Sequence, residues 1–149
     1  MKTPEITVLP ITRDLIPACT ALYIRTFTLP PWCDEIPSPQ PVIDYFENFL
    51  KMDTFLGYAA FFDGRLAALS TGMKKPWRKG IEYYIDEFCV DPDLQRQGIG
   101  SQFLKTIEAD IAARGMCGMV LTTEAAYGSF DFFVKNGFEK LGSLCVLGK

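Results

Sequence analysis

A predicted strand that leads through a glycine-bearing turn into a long helix constrains this 149-residue chain more than any other feature. The strand is "IEYYIDEFCV", residues 81–90, and the turn "DPDLQRQGIG" follows it directly. The helix predicted over 98–114 has one apolar face, formed by Ile99, Phe103, Leu104, Ile107 and Ile111. Glycine costs conformational entropy inside regular structure, so Gly98 and Gly100 indicate a place that needs bare backbone.

This junction has the properties of an anion site. The first N–H groups of a helix have no backbone partner and carry partial positive charge. Glycines at 98 and 100 leave room for a phosphate to approach these groups, and Arg96 adds a full positive charge. A Rossmann loop would need a third glycine where Phe103 stands, and the Gly-Lys-Ser/Thr of a P-loop is missing. These residues therefore indicate a diphosphate-binding site that is neither a Rossmann loop nor a P-loop. The alternative that stays open is a glycine loop that only reverses the chain direction and binds no ligand.

The remaining sequence predicts an α/β architecture with a mixed sheet. The predicted elements, in order, are strand 5–10, a helix from Thr12, a proline-rich loop at 29–41, helix 41–52, the strands "TFLGYAAFFDG" and "RLAALSTGM", a turn "KKPWRKG", strand 81–90, helix 98–114, strand 118–123, helix 126–136 and a closing strand or two after Gly137. The "DG" at 63–64 is a hairpin signal. Hairpin-linked strands followed by a strand–helix–strand crossover imply a sheet with helices on its faces.

Length and composition limit the class of protein. We expect one domain over 1–149, because 48% hydrophobic and 22% charged residues are typical of a globular chain. No apolar run is long enough to span a bilayer and the N-terminus lacks a signal peptide's apolar stretch, which predicts a cytoplasmic protein without a membrane partner. A net charge of −3 argues against a nucleic-acid partner, and five cysteines without a CxxC pair argue against a disulfide framework or a metal site. Because there is no histidine, any general base must be Asp, Glu, Tyr, Lys or water.

The segment "VDPDLQRQGIGSQFL" resembles the acetyl-CoA signature of the GNAT family of N-acetyltransferases, Gln/Arg-x-x-Gly-x-Gly/Ala. The matching positions are Gln95, Arg96, Gln97, Gly98, Ile99 and Gly100. The flanks agree as well, so the resemblance is specific from Ile81 to Phe138. It implies an N-acetyltransferase with acetyl-CoA as cosubstrate and no metal. It also implies the GNAT fold, which is acyl-CoA N-acyltransferase-like, with a mostly antiparallel mixed sheet of about six to seven strands and about four helices.

The resemblance further implies where acetyl-CoA lies. The central strand separates from the next strand, and the pantetheine arm occupies the gap like an added strand. Backbone groups of Phe88, Cys89 and Val90 would pair with its amides, and a main-chain N–H there would polarise the acetyl carbonyl. The loop from Gln95 to Ser101 would hold the pyrophosphate, while Phe133 would pack on the cofactor or in the core.

Acetyl transfer requires a neutral amine, so a carboxylate on the central strand is the expected base. The candidates are Glu82, Asp86 and Glu87. Alternation places Glu82 and Asp86 on one face and Glu87 on the other, but a bulge would swap the faces, so parity leaves the choice open. The resemblance favours Asp86 and Glu87, because relatives carry an acidic residue three or four places before the position of Val90.

The expected general acid is missing. The resemblance places a tyrosine near the coenzyme A sulfur, but this sequence has Phe133 there. Tyr127 is one substitute, and water is another, because a thiolate with a pKa near 8.5 is a good leaving group. A non-catalytic acyl-CoA binding module therefore remains the alternative to an enzyme.

The acceptor pocket is expected around the proline-rich loop and the second helix, with Trp32 and Tyr45 as substrate residues and Asp34, Glu35 and Trp77 beside them. Aromatic rings with acidic groups suit a cation, such as the primary amine of an aminoglycoside, a polyamine or a peptide. Trp32 is interpreted either as core packing or as part of a substrate entrance. The closing segment after Gly137 is short, so one strand is missing or comes from a partner chain in a homodimer.

Overall fold

The computed structural model describes Lys2 and residues 4–149, in which five strands form one sheet in chain order. The strands are β1 (Thr7–Pro10), β2 (Phe55–Phe62), β3 (Arg65–Trp77), β4 (Gly80–Val90) and β5 (Gly118–Leu121). The helices are α1 (Ile16–Phe27), α2 (Gln40–Leu50), α3 (Ile99–Ala113) and α4 (Gly128–Lys135), with short 3-10 turns at Arg13–Leu15 and Pro92–Leu94. Strands β1 to β4 pair antiparallel, and β5 joins β4 in parallel through the α3 crossover.

The sheet has a hydrophobic core on each face. Helices α1 and α2 cover one face, where buried side chains of Cys19, Phe46, Leu69 and Cys89 meet. Helix α3 covers the other face, where its apolar stripe packs on Tyr83 and Ile85. The mixed α/β sheet predicted from the sequence is thus confirmed, with the helices on both faces. Within the described residues, no helix combines the length and apolarity needed to cross a membrane.

Two turns differ in how well the sequence predicted them. The Asp63-Gly64 hairpin is present, with both residues in the left-handed region at φ 49° and 76°. The predicted turn "KKPWRKG" is wrong in extent, because Lys74 to Trp77 continue β3 and only residues 78–79 connect it to β4. This end of the hairpin extends past the core, so its residues are more polar than those of the buried part of β3. The Lys75 ammonium lies 5.6 Å from the Tyr84 ring centroid.

A bulge in β4 sets the direction of its functional side chains. Thr71 of β3 lies opposite Glu87, but the next residue, Gly72, lies opposite Ile85, so Asp86 is the extra residue. Side chains before the bulge, such as Ile85, face α3, whereas Cys89 at the same parity faces α1 and α2. Gly72 permits this geometry, because a Cβ there would lie 2.1 Å from the Tyr84 carbonyl oxygen.

The closing strand predicted after Gly137 is not formed in the described chain. Phe138 packs on Phe133, but residues 139–149 adopt no regular structure, and Leu144, Val146 and Leu147 are 78%, 79% and 88% exposed. Among the described residues, the sheet therefore has five strands, and the count of about six to seven was too high. Gly142 interrupts the segment at φ 58°. The homodimer expected from this segment stays a prediction.

Candidate functional site

Strands β4 and β5 stop pairing partway along β4. Their parallel pairing runs from Glu82 with Gly118 to Ile85 with Leu121. Strand β4 then continues to Val90, but β5 has already ended. The edge of β4 beyond the bulge therefore faces an opening, and such an edge can accept an extended chain as an added strand. At the end of this edge, the Gln95 side-chain amide donates to the Val90 carbonyl at 3.0 Å.

A cleft of about 710 Å³ begins at this opening and runs to the start of α3. It brings together nine of the residues predicted to bind the cofactor: Phe88, Cys89, Val90, Gln95, Arg96, Gly98, Gly100, Ser101 and Phe133. Two others do not line it. The Gln97 amide donates to the Asp93 carbonyl at 3.3 Å, and the Ile99 side chain is buried in the core. The cleft is large enough for a cofactor-sized ligand.

The two glycines of the turn are needed for different physical reasons. Gly98 precedes α3 with φ 84°, a left-handed conformation that a side chain strains. Arg96, two residues earlier, is also left-handed at φ 65°. Gly100 instead lets α3 approach α4, because a Cβ would lie 3.1 Å from the Phe132 ring and 3.3 Å from a Val90 methyl. Left-handed residues that alternate with other conformations just before a helix start can turn backbone N–H groups toward one concavity, which is the arrangement of an anion site.

A buried carboxylate that sequence reasoning missed fixes the turn before this loop. Asp91 is 2% exposed, and its two oxygens accept hydrogen bonds from Arg25 at 2.6 Å and Arg65 at 2.7 Å. It also accepts from the Asp93 backbone N–H at 2.9 Å. The turn is thereby tied to α1 and β3. The Asp-Pro pair was the available signal, since Asp favours caps and turns of this kind.

The bulge places two candidate bases on the face covered by α1 and α2. The Tyr45 hydroxyl of α2 lies 2.5 Å from Asp86 Oδ2, to which it donates, and 2.7 Å from Thr71 Oγ1. The Tyr23 hydroxyl of α1 donates to Glu87 Oε1 at 3.4 Å. Both carboxylates thus lie beside the point where β4 and β5 separate, and each has a tyrosine partner.

Glu87 differs from Asp86 in burial and charge. Burial raises the pKa of Glu87 to about 7, and the neighbouring charges of Asp86 and Asp34 add to the rise, while the Tyr23 hydrogen bond opposes it. Asp86 is exposed to solvent. A carboxyl group with a pKa near neutrality can both take and release a proton under ordinary conditions.

Glu82 lies apart from this pair. It is five residues before Glu87 on β4, opposite Lys75 and Gly118, where β4 and β5 are still paired. Five strand residues correspond to about 16 Å. Trp77 is at the far end of the same hairpin, so the structure also separates it from the acceptor side.

Trp32 combines the two interpretations that the sequence left open. Its ring packs against Phe27 of α1 at a centroid distance of 5.4 Å and belongs to the edge of the core. It also lines the cleft and meets Tyr127 edge-to-face at 5.0 Å. Trp32 therefore connects the loop after α1 with the start of α4 along the cleft.

A second cavity, of about 550 Å³, lies between α1 and α2. Its walls are largely apolar, and it shares no lining residue with the cleft. Asp86 and Glu87 line neither cavity, but they directly precede Phe88, where the β4 wall of the cleft begins, and none of the predicted cofactor residues lines the second cavity.

Comparison with known proteins identifies relatives of this arrangement. The model of a family described as the acetyltransferase (GNAT) family matches residues 17–138. No curated protein matches the sequence. Among solved structures, AAC(6')-Iy in complex with the bisubstrate analogue CoA-S-monomethyl-acetylneamine has a TM-score of 0.77 at 13% identity, covering 97% of this chain and 98% of that one.

Two further structures have the same fold. An aminoglycoside acetyltransferase, meta-AAC0020, from an uncultured soil metagenomic sample in complex with sisomicin has a TM-score of 0.73 at 16% identity, covering 97% of each chain. A possible acetyltransferase from Clostridium difficile 630 has a TM-score of 0.78 at 14% identity, again covering 97% of each chain. These likenesses confirm the fold expected from the sequence.

Proposed function

Because this chain belongs to the GNAT acetyltransferase family and is an acetyl-CoA-dependent N-acetyltransferase, we propose that it acetylates a primary amine of a small, cationic molecule. The amine attacks the thioester directly in a ternary complex, with Glu87 as the general base. The observation that carries this proposal is the position of Glu87, which lies at the β4 bulge with a pKa near 7.

Acetyl-CoA fits the cleft in one direction. Its pyrophosphate lies against the N–H groups around Gly98 and the start of α3, with Arg96 as the nearby cation. Its pantetheine arm runs back along the β4 edge from Val90 toward Phe88, and the thioester comes to the end of the cleft nearest Glu87. A β4 backbone N–H polarises the acetyl carbonyl and stabilises the oxyanion that forms there.

Glu87 supplies the proton acceptor that the reaction needs. An ammonium group has no lone pair, so the amine must lose a proton before or during attack. In its ionised form, Glu87 takes this proton directly or through one water. The carbonyl carbon then forms its bond to nitrogen, and the carbon–sulfur bond breaks with the electron pair going to sulfur. The carboxylate of Asp86 lies beside it and attracts the cationic substrate.

The walls near Glu87 favour a substrate with several positive charges. Asp34, Asp86 and Glu87 lie close enough for their charges to interact. Tyr45 contacts Asp86, Trp32 lines the cleft nearby, and both rings can pack on a cation or a sugar ring. The structures solved with an acetylneamine analogue and with sisomicin support an aminoglycoside-like acceptor, and a polyamine has the same charge pattern. Peptide amines rank below both, because a single amine gains less from three carboxylates. The cytoplasmic location stays a prediction.

Release of free coenzyme A thiol, measured against a panel of aminoglycosides, polyamines and peptides, tests this function. We expect polycationic amines to give the highest kcat/KM and added salt to reduce it, because charge attraction is screened. Glu87→Gln should lower kcat by about 10²- to 10⁴-fold. The matched control is Glu108→Gln, which removes the same charge from α3 away from the cleft and should leave the rate unchanged. If acetyl-CoA binds but no amine of the panel stimulates thiol release, the result would instead support the non-catalytic binding module. Loss of rate in Glu82→Gln but not in Glu87→Gln would contradict the choice of base.

A further inference from the structure

Two hydroxyl groups form a pair on the wall of the cleft opposite β4. Thr123 Oγ1 lies 2.7 Å from Ser129 Oγ, and both side chains are partly buried. Thr123 follows β5, while Ser129 is the second residue of α4 and lines the cleft. Neither residue was predicted from the sequence to belong to the site, and neither takes part in the function proposed above.

Strand register places this pair at the reacting end of the cleft. Leu121 is the last residue of β5 to pair with β4, and its partner is Ile85. Thr123 comes two residues after the end of β5, and Glu87 follows Ile85 across the bulge at Asp86, so both lie just beyond the last β4–β5 pair, one on each side of the opening. In the tetrahedral intermediate, the sulfur and the amine nitrogen are separate substituents of the acetyl carbon, so the donor to sulfur has to be a different group from the base. A hydroxyl on the β5–α4 side of the opening, across from β4, can take that role.

Three other groups in or beside the cleft do not offer a proton to it. The Phe133 ring is buried against Phe88 and Phe132 and has no proton to give. Tyr127, the substitute considered from the sequence, packs its ring on Trp32 and does not line the cleft. The Thr26 hydroxyl donates to the Leu22 carbonyl at 2.8 Å.

Of the further donors that line the cleft, Lys135 is at the C-terminal end of α4, and two others are distant or face the core. Ser101 belongs to the pyrophosphate end, at the start of α3. Cys89 points its thiol into the core shared with Cys19. Ser129 is thus the hydroxyl that remains at the thioester end.

We propose that Ser129 Oγ donates a hydrogen bond to the thioester sulfur and passes it a proton as the carbon–sulfur bond breaks. This inference rests on the proposed acetyl transfer. When Thr123 donates in the pair, the Ser129 hydrogen is free to point into the cleft. The Ser129 proton goes to sulfur, the Thr123 proton replaces it, and water replaces the proton of Thr123. Glu87 holds the proton taken from the amine and releases it to solvent, so charge and protons balance.

Single-turnover acetyl transfer measures the rate of the step itself. Ser129→Ala should slow it roughly 100-fold, at the lower end of general-acid contributions, with little change in KM for acetyl-CoA. Thr123→Val removes only the relay and should cause a smaller loss. Thr106→Val deletes an exposed α3 hydroxyl that donates to the Gln102 carbonyl, and it should leave the rate unchanged. An unchanged rate in both Ser129→Ala and Thr123→Val would overturn the proposal.

The pKa of the thiol of bound coenzyme A, followed by the ultraviolet absorbance of the thiolate, provides a readout independent of turnover. A hydroxyl that donates to sulfur stabilises the thiolate, so this pKa should be higher in Ser129→Ala than in the wild type. A slower rate with an unchanged thiol pKa would assign Ser129 a packing role and overturn the proton donation. Because the titration needs no acceptor, it also separates failure of this inference from failure of the proposed function. Should Ser129→Ala not fold, the same titration with Thr123→Val decides.

Discussion

The Tyr23 hydroxyl donates to the Glu87 carboxylate at 3.4 Å, which joins the middle of α1 to the bulge of β4 across 64 residues of sequence. The contact supports the ionised form of Glu87, while burial and the charge of Asp86 disfavour it. The balance leaves the pKa of Glu87 near neutrality rather than near its usual value of about 4.5. Removing the Tyr23 hydrogen bond should therefore raise the pKa of Glu87 further above its usual value.

The pH dependence of the reaction should report this balance. Only ionised Glu87 accepts a proton, so single-turnover transfer should rise with pH through an apparent pKa of about 7 and then level off. In Tyr23→Phe, the midpoint should move to higher pH, because the hydrogen bond that favours the carboxylate is lost. Phe27→Leu changes a ring beside Tyr23 without removing a hydroxyl and serves as the control for packing. A midpoint near 4.5 in the wild type, or an unmoved midpoint in Tyr23→Phe, would contradict the assignment.

Ionisation of Glu87 should increase activity but reduce the free energy of unfolding. The folded-state pKa of Glu87 is raised to about 7, so its contribution to stability is present below about pH 4.5 and is lost as pH rises through 7. Glu87→Gln stays neutral throughout and should be more stable than the wild type at about pH 8, by about 1–3 kcal/mol. The difference should shrink toward pH 4.5. Thermal unfolding at both pH values measures it, and a variant less stable than the wild type at pH 8 would show that Glu87 is not strained by burial.

Gly98 offers a matched test of the pyrophosphate loop. Gly98→Ala places a side chain on a left-handed residue at φ 84°, which costs about 1–2 kcal/mol and shifts the N–H groups before α3. Gly115→Ala imposes the same backbone cost at φ 75°, in open space at the other end of α3. Calorimetric titration should show weaker coenzyme A binding in Gly98→Ala only, although both variants lose stability. Equal affinities in the two variants would place the pyrophosphate elsewhere.

Asp91 should act on binding without touching the ligand. Asp91→Asn removes the charge between Arg25 and Arg65 and loosens the turn that leads to the loop. We expect a loss of about 1–3 kcal/mol in unfolding free energy and a weaker affinity for coenzyme A. Asp110→Asn breaks a more exposed ion pair with Arg114 at 2.8 Å on α3 and should change neither affinity nor kcat. Normal coenzyme A affinity in Asp91→Asn would show that the loop holds its shape without this anchor.

Local signals in the sequence were enough to predict the junction of β4 and α3, because strand, turn and amphipathic helix are adjacent along the chain. The functional contacts were not local. Tyr23 with Glu87 and Arg25 with Asp91 join residues more than sixty positions apart, and only the folded sheet brings them together. No pattern within a segment of ten residues can specify such a pair.

The bulge was the remaining uncertainty in the choice of base. Alternation alone placed Asp86 and Glu87 on opposite faces, and the extra residue at Asp86 turned both toward α1 and α2. Gly72 on the neighbouring strand was the signal, since an interior strand glycine often marks a bulge. The closing strand was predicted wrongly for a different reason, because the apolar composition of its segment does not specify a strand edge with which it could pair.

Hydrogen exchange with and without acetyl-CoA tests the location of the cofactor most directly. If the thioester reaches Glu87 along the open edge of β4, amides between Phe88 and Ser101 should exchange more slowly once acetyl-CoA is bound. Amides that line the second cavity between α1 and α2, from Arg13 to Glu47, should exchange at the same rate with and without acetyl-CoA. Slower exchange at that cavity, with unchanged exchange from Phe88 to Ser101, would contradict the placement of the cofactor and the catalytic role of Glu87 with it.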